Sequence, residues 1–127
     1  MGRVLVVDDE SMVLDVLETM LSQYGHEVVS TTQSAEALTM IDEPFDLFLF
    51  DLRMPDPTGA DLAEAVRARH PDATVLVMTG YPGDPLAARA LRSGVNALVK
   101  KPFEIGKILS YLRNGSPAQS SGTGGVG

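Results

Sequence analysis

The sequence predicts an α/β domain: a doubly wound, parallel sheet of five strands with five helices. Two observations carry that prediction. Short runs of β-branched, aliphatic or aromatic residues recur five times along the 127 residues, and each is followed by a stretch with helical periodicity. The third run, Asp46 to Phe50, is also too hydrophobic for a half-exposed strand and reads as covered on both faces.

Taken in order, Val4 to Val7 is a β-branched strand, and Ser11 to Tyr24 is a helix with Val13, Leu17, Met20, Leu21 and Tyr24 on one stripe. Gly25 supplies its left-handed stop. Glu27 to Thr31 is the second strand, and Ser34 to Ile41 a short helix closed by Pro44. Asp46 to Phe50 is too apolar to be half-exposed, which makes it the central strand. The turn-forming stretch Met54 to Gly59 leads into a helix from about Ala60 to Arg69, with Leu62, Ala65 and Val66 facing inward. Thr74 to Met78 is the fourth strand, Pro85 to Ser93 a helix ended by Gly94, Ala97 to Lys100 the fifth strand, and Ile105 to Leu112 the last helix. From Ser116 large apolar residues are scarce, so residues 1–114 read as the domain and 115–127 as a flexible tail or linker remnant.

Composition narrows the function. With 44% hydrophobic residues the chain can bury one core but not two. It has no cysteine, which excludes disulfides, thiolate metal sites and a cysteine nucleophile and makes the reducing cytoplasm the natural setting. A formal charge of −7 argues against direct nucleic-acid binding. The apolar runs are far shorter than the roughly 20 residues needed to cross a bilayer, so no membrane association is expected.

In a doubly wound sheet, ligands bind beyond the carboxyl ends of the strands. Asp8 and Asp9 follow the first strand, Asp51 the third, Thr79 the fourth and Lys101 the fifth, so all of them are expected on one edge. Three converging carboxylates repel one another, and their hard oxygens suit Mg²⁺. A carboxylate in such a place can attack phosphorus, with Lys and Thr to neutralise and hydrogen-bond the phosphoryl oxygens. The expected product is an acyl phosphate.

These residues carry a resemblance. Val-Asp-Asp-Glu after the first strand, Asp51-Leu-Arg-Met-Pro-Asp-Pro-Thr-Gly59, Met-Thr79-Gly80 and Lys101-Pro102-Phe103, in that order, resemble a response-regulator receiver domain over about residues 3 to 113. The resemblance implies a flavodoxin-like fold with strand order 2-1-3-4-5. It implies Asp51 as phosphoacceptor, Asp9 as direct Mg²⁺ ligand, Asp8 acting mainly through metal-bound water, and the backbone carbonyl of Arg53 as a further ligand. Thr79 matches the hydroxyl that moves to the phosphoryl group, Gly80 leaves room for the donor, and Lys101 rather than Lys100 matches the lysine paired with Asp51. The Lys101–Pro102 bond is similar to one that is cis in the family. Implied partners are a histidine kinase or phosphotransfer domain upstream and an output domain or protein downstream, for a monomer or weak dimer. The chain would catalyse only its own phosphoryl transfer and slow dephosphorylation. The tail points to a receiver excised from a hybrid kinase or a larger regulator.

Taken singly, Asp8 or Asp9 reads equally well as a helix cap, Thr79 as turn chemistry and Lys101 as a solvated lysine. Asp51 does not, because a carboxylate closing a buried strand must find a partner. His26 and His70 read as surface residues and the methionines as core or loop filler. A flavin carrier would need Ser, Thr and Gly where Asp8, Asp9 and Glu10 stand. An aspartyl-phosphate hydrolase of the haloacid dehalogenase type would carry its nucleophile after the first strand. The remaining alternative is a pseudo-receiver, a binding module acting without phosphorylation, although no acidic or lysine position of the motif is missing. One departure is Leu98, where the family usually has an aromatic switch residue.

Overall fold

The computed structural model describes residues 2–101 and 104–113. The expected tail at 115–127 and the Lys101–Pro102 bond lie outside the described residues. Five strands alternate with five helices: β1 (Arg3–Val7), α1 (Ser11–Gln23), β2 (Glu27–Thr31), α2 (Ser34–Leu38), β3 (Leu47–Asp51), α3 (Gly59–Arg69), β4 (Val75–Thr79), α4 (Pro85–Arg92), β5 (Ala97–Lys100) and α5 (Ile105–Arg113). All strand pairs are parallel, and the order is β2-β1-β3-β4-β5.

Strand periodicity divides the interior in two. Leu5, Val7, Phe48, Phe50, Val75 and Val77 face one side, with buried residues of α2, α3 and α4 against them. Val4, Val6, Leu47, Leu49, Leu76 and Met78 face the other, under α1 and α5. Every residue of β3 and β4 is buried, which is why these strands read as unbroken apolar runs.

Two expectations need correction. On α1 the buried face is Leu14, Leu17 and Leu21. Val13 and Met20 are only partly covered, and Tyr24, at the C-cap, is 62% exposed. The face is centred nearer the leucines than an aromatic-ended stripe suggested. Helix α2 stops at Leu38, not Ile41, because Thr39 and Met40 donate to carbonyls only three residues back and the Thr39 hydroxyl bonds the Glu36 carbonyl at 2.7 Å. Ile41 is fully buried without being helical. Gly25 and Gly94 have φ of 85° and 97°, the left-handed conformation expected where α1 and α4 end.

Two local features set the site's surroundings. Thr58 and Asp61 form a reciprocal capping box at the start of α3, and Gly59 lies so close to β3 that an added Cβ would fall under 3.0 Å from the backbone of Asp51 and Leu52. At the β5 border of the sheet, α5 and its approach bond the strand's rim: Lys107 Nζ donates to the Leu98 carbonyl at 2.7 Å, Tyr111 OH to the Asn96 carbonyl at 3.3 Å, and the Lys100 N–H donates to Glu104 at 2.9 Å.

Candidate functional site

Parallel pairing brings the strand ends to one edge. Val7 pairs with Phe50, Asp51 with Met78 and Thr79 with Lys100, so Asp8, Asp51, Thr79 and Lys101 leave or close neighbouring strands together. Asp8 is fully buried and Asp51 is 6% exposed, whereas Asp9 is exposed. Carboxylate oxygens of Asp8, Asp9 and Asp51 lie within 4.8 Å of one another.

Lys101 Nζ bridges two of them, 3.1 Å from Asp8 Oδ2 and 3.0 Å from Asp51 Oδ1. Asp8 Oδ1 also accepts from the Glu10 N–H at 2.9 Å, so its side chain orders the turn into α1, although the helix's own N-cap, Glu10, makes no side-chain cap. The exposed Lys100 takes no part; its N–H is held by Glu104.

Burial pushes the Asp51 carboxyl up to about 6; the hydrogen bond from Lys101 opposes the rise, and the charges of Asp8 and Asp9 add to it. Burial would lower Lys101, but its hydrogen bonds to Asp51 and Asp8 outweigh that and hold the ammonium above its ordinary value. One cation thus serves two carboxylates, and the third is left facing solvent. A set of hard oxygens with an excess of negative charge fits a divalent cation such as Mg²⁺ and discourages softer metals.

Thr79 ends β4 almost fully buried. Both of its hydroxyl hydrogen bonds are to Tyr81, accepting from the N–H at 3.0 Å and donating to the carbonyl at 3.1 Å. In this structure the hydroxyl is turn chemistry. An added Cβ on Gly80 would meet no atom within 4 Å, so that position is open. Arg53, two residues past Asp51, sends its side chain away from the carboxylates to Asp84, with Nε–Oδ2 at 2.6 Å and Nη2–Oδ1 at 2.7 Å. Sequence reasoning missed that pair. The signal available was Asp84-Pro85, an N-cap followed by proline at the first helical position.

Neither histidine is near the cluster's chemistry. His26 Nδ1 accepts from the Gly2 N–H at 2.9 Å, and burial holds its pKa below the ordinary value. His70 pairs with Asp42 at 2.8 Å. Both are partly buried and more engaged than plain surface residues.

Residues 4–113 match the family model described as the response regulator receiver domain. The chain belongs to the response regulator receiver domain family. This receiver is 35% identical over 107 residues to the response regulator protein PilR of Pseudomonas aeruginosa, a match covering 84% of this chain and 24% of that one. Among solved structures, a response regulator receiver domain protein (CheY-like) from Methanospirillum hungatei superposes with a TM-score of 0.84 at 29% identity, covering 94% of this chain and 97% of that one. A response regulator from Burkholderia pseudomallei, solved with a phosphorylated aspartic acid, a calcium ion and citrate, gives 0.78 at 29% identity over 94% of this chain and 72% of that one. The receiver spans 24% to 50% of the length of the first curated relatives it matches. Membership is consistent with two-component signalling, and among the described residues no helix is long and apolar enough to cross a membrane.

Proposed function

We propose that this receiver takes a phosphoryl group onto Asp51 from a phosphohistidine of a histidine kinase or phosphotransfer domain. Asp8, Asp9, Asp51 and the backbone carbonyl of Arg53 would hold Mg²⁺. The observation that carries the reading is Asp51 itself: a buried carboxylate ending a central strand, 3.0 Å from a lysine ammonium and beside two further acids. A purely structural aspartate gains nothing from being placed among like charges.

In the transfer, an Asp51 carboxylate oxygen forms the new bond to phosphorus while the phosphorus–nitrogen bond of the donor breaks, and the imidazole leaves as the neutral ring, keeping the bonding pair and the proton already on its other nitrogen. Lys101 balances charge on Asp51 before transfer and on the phosphoryl oxygens after it. The Thr79 hydroxyl would exchange Tyr81 for a phosphoryl oxygen, and the open space at Gly80 admits the donor. When bound, Mg²⁺ supplies neutralisation of the carboxylates and of the transferring group. The Burkholderia relative, with its phosphorylated aspartic acid and calcium ion, supports this chemistry by analogy.

On this reading the domain is residues 1–114, it works in the cytoplasm as a monomer or weak dimer, and its product state is read by an output domain or protein. It turns over no other substrate. The test is acetyl phosphate with and without Mg²⁺, followed by intact mass. The parent should gain one phosphoryl group only with Mg²⁺, and Asp51→Asn none. Labelling of Asp51→Asn equal to the parent would move the phosphoacceptor elsewhere. A parent that is never labelled would leave the pseudo-receiver, a phosphorylation-independent binding module.

A further inference from the structure

Beside the carboxylates, the loop after β3 and the loop after β4 are joined in a circuit that the phosphoacceptor chemistry does not require. Arg53 is exposed, yet it reaches across 31 residues of sequence to form a two-point fork with Asp84, which is 5% exposed. The same Asp84 carboxylate is the N-cap of α4, with Oδ1 accepting from the Leu86 N–H at 2.9 Å. The Asp84 N–H donates to the Tyr81 carbonyl at 3.0 Å, which is also the acceptor for the Thr79 hydroxyl. Thr79, Tyr81, Asp84 and Arg53 therefore link the end of β4 to the segment immediately following Asp51.

We propose that Asp84 is a positioning residue for the Asp51 site, holding Arg53 through the forked ion pair and thereby coupling occupancy of that site to the first turn of α4. The proposal rests on the reading of Asp51 and Arg53 given above.

The physical case has two parts. A bidentate guanidinium–carboxylate fork fixes orientation as well as distance, so it constrains the loop whose carbonyl is assigned to the metal. Finally, α4 is pinned at its inner side as well: Arg89 bonds Asp61 at 2.5 Å and Glu64 at 2.6 and 2.8 Å. With the helix body anchored to α3, a change at Arg53 or Thr79 falls on the one part of α4 tied to both, its N-cap. Groups arranged around reacting ligands in this way tune them without touching them.

The discriminating variant is Asp84→Asn, because Asn caps a helix about as well as Asp and removes only the charge partner of Arg53. Arg53→Ala and the double variant complete a cycle in the full chain. Two quantities are measured by amide chemical shifts: the Mg²⁺ dissociation constant, and the shifts that beryllofluoride induces in Leu86 to Ala90. Each single variant should weaken Mg²⁺ binding by roughly three- to tenfold, and the double variant should be no weaker than either. Beryllofluoride should still shift Asp8 and Thr79 in both, while the shifts at Leu86 to Ala90 largely disappear. Parent-like Mg²⁺ affinity and α4 shifts in Asp84→Asn would overturn the coupling alone, and additive losses in the double variant would do the same. A parent that binds neither Mg²⁺ nor beryllofluoride would overturn the assignment of the site, and the coupling with it.

Discussion

Replacing Asp51 by Asn should stabilise the metal-free domain, by an amount that grows as pH rises from 3.8 to about 6 and is constant above. In the folded protein that carboxyl is raised from 3.8 to about 6, so the unfolded chain loses this proton first. Between those two values the folded state binds more protons than the unfolded state, and stability falls as pH rises. The shift of about two units corresponds to about 3 kcal/mol of penalty once Asp51 is ionised. That penalty already has the favourable pairing with Lys101 set against burial, so Asn, neutral like the protonated acid, escapes it nearly whole. The net gain is therefore up to about 3 kcal/mol above neutral pH, or roughly 10–15 °C in melting temperature for a domain of this size. Thermal and urea unfolding of both proteins in chelator, at constant ionic strength, from about pH 4 to about pH 8, would measure it. The variant's advantage should shrink toward nothing at the acid end. A parent more stable than Asp51→Asn at high pH, or a difference that does not change with pH, would refute the reasoning.

Other expectations follow from the same geometry. Asp9→Asn removes an exposed like charge from the cluster, so the metal-free variant should melt slightly above the parent while Mg²⁺ raises its melting temperature less; a clear drop without metal would make Asp9 a structural residue. Gly59→Ala forces a Cβ into the backbone of Asp51 and Leu52 and should cost about 1–3 kcal/mol as an overpacking change, with Asp51 and its neighbours showing the largest amide shifts. Parent-like stability would mean that the loop after β3 relaxes freely.

The fold was legible because its strands carry a strong local signal. Five short strand runs, each followed by helical spacing, leave few alternatives, and the glycines at 25 and 94 mark helix ends that the backbone confirms. The convergence of Asp8, Asp51, Thr79 and Lys101 on one edge followed from topology alone, since parallel strands all end on the same side. What escaped was set by tertiary packing or long-range pairing. The α1 face depends on which leucines meet the sheet, and several stripes fit the same 3.6-residue period. The early end of α2 turns on a single threonine hydroxyl. The forks from Arg53 to Asp84 and from Arg89 to Asp61 and Glu64 join residues 25 to 31 positions apart, and no periodicity announces such pairs. Leu98, where an aromatic was expected by resemblance, is half-buried against the α2–α4 side of the core.

A parallel sheet has two lateral borders, and unpaired backbone groups on a border are templates for another molecule's strand. The side chains of Lys107, Tyr111 and Glu104 already occupy groups along the β5 border, so a foreign strand would first have to displace them. Ladder growth from molecule to molecule needs a free border at both ends of each unit. Among the described residues only the β2 border is free of such side chains, and a copy added there presents its own occupied β5 side or an already used β2. On the β5 side, then, the described residues resist sheet extension from one molecule to the next.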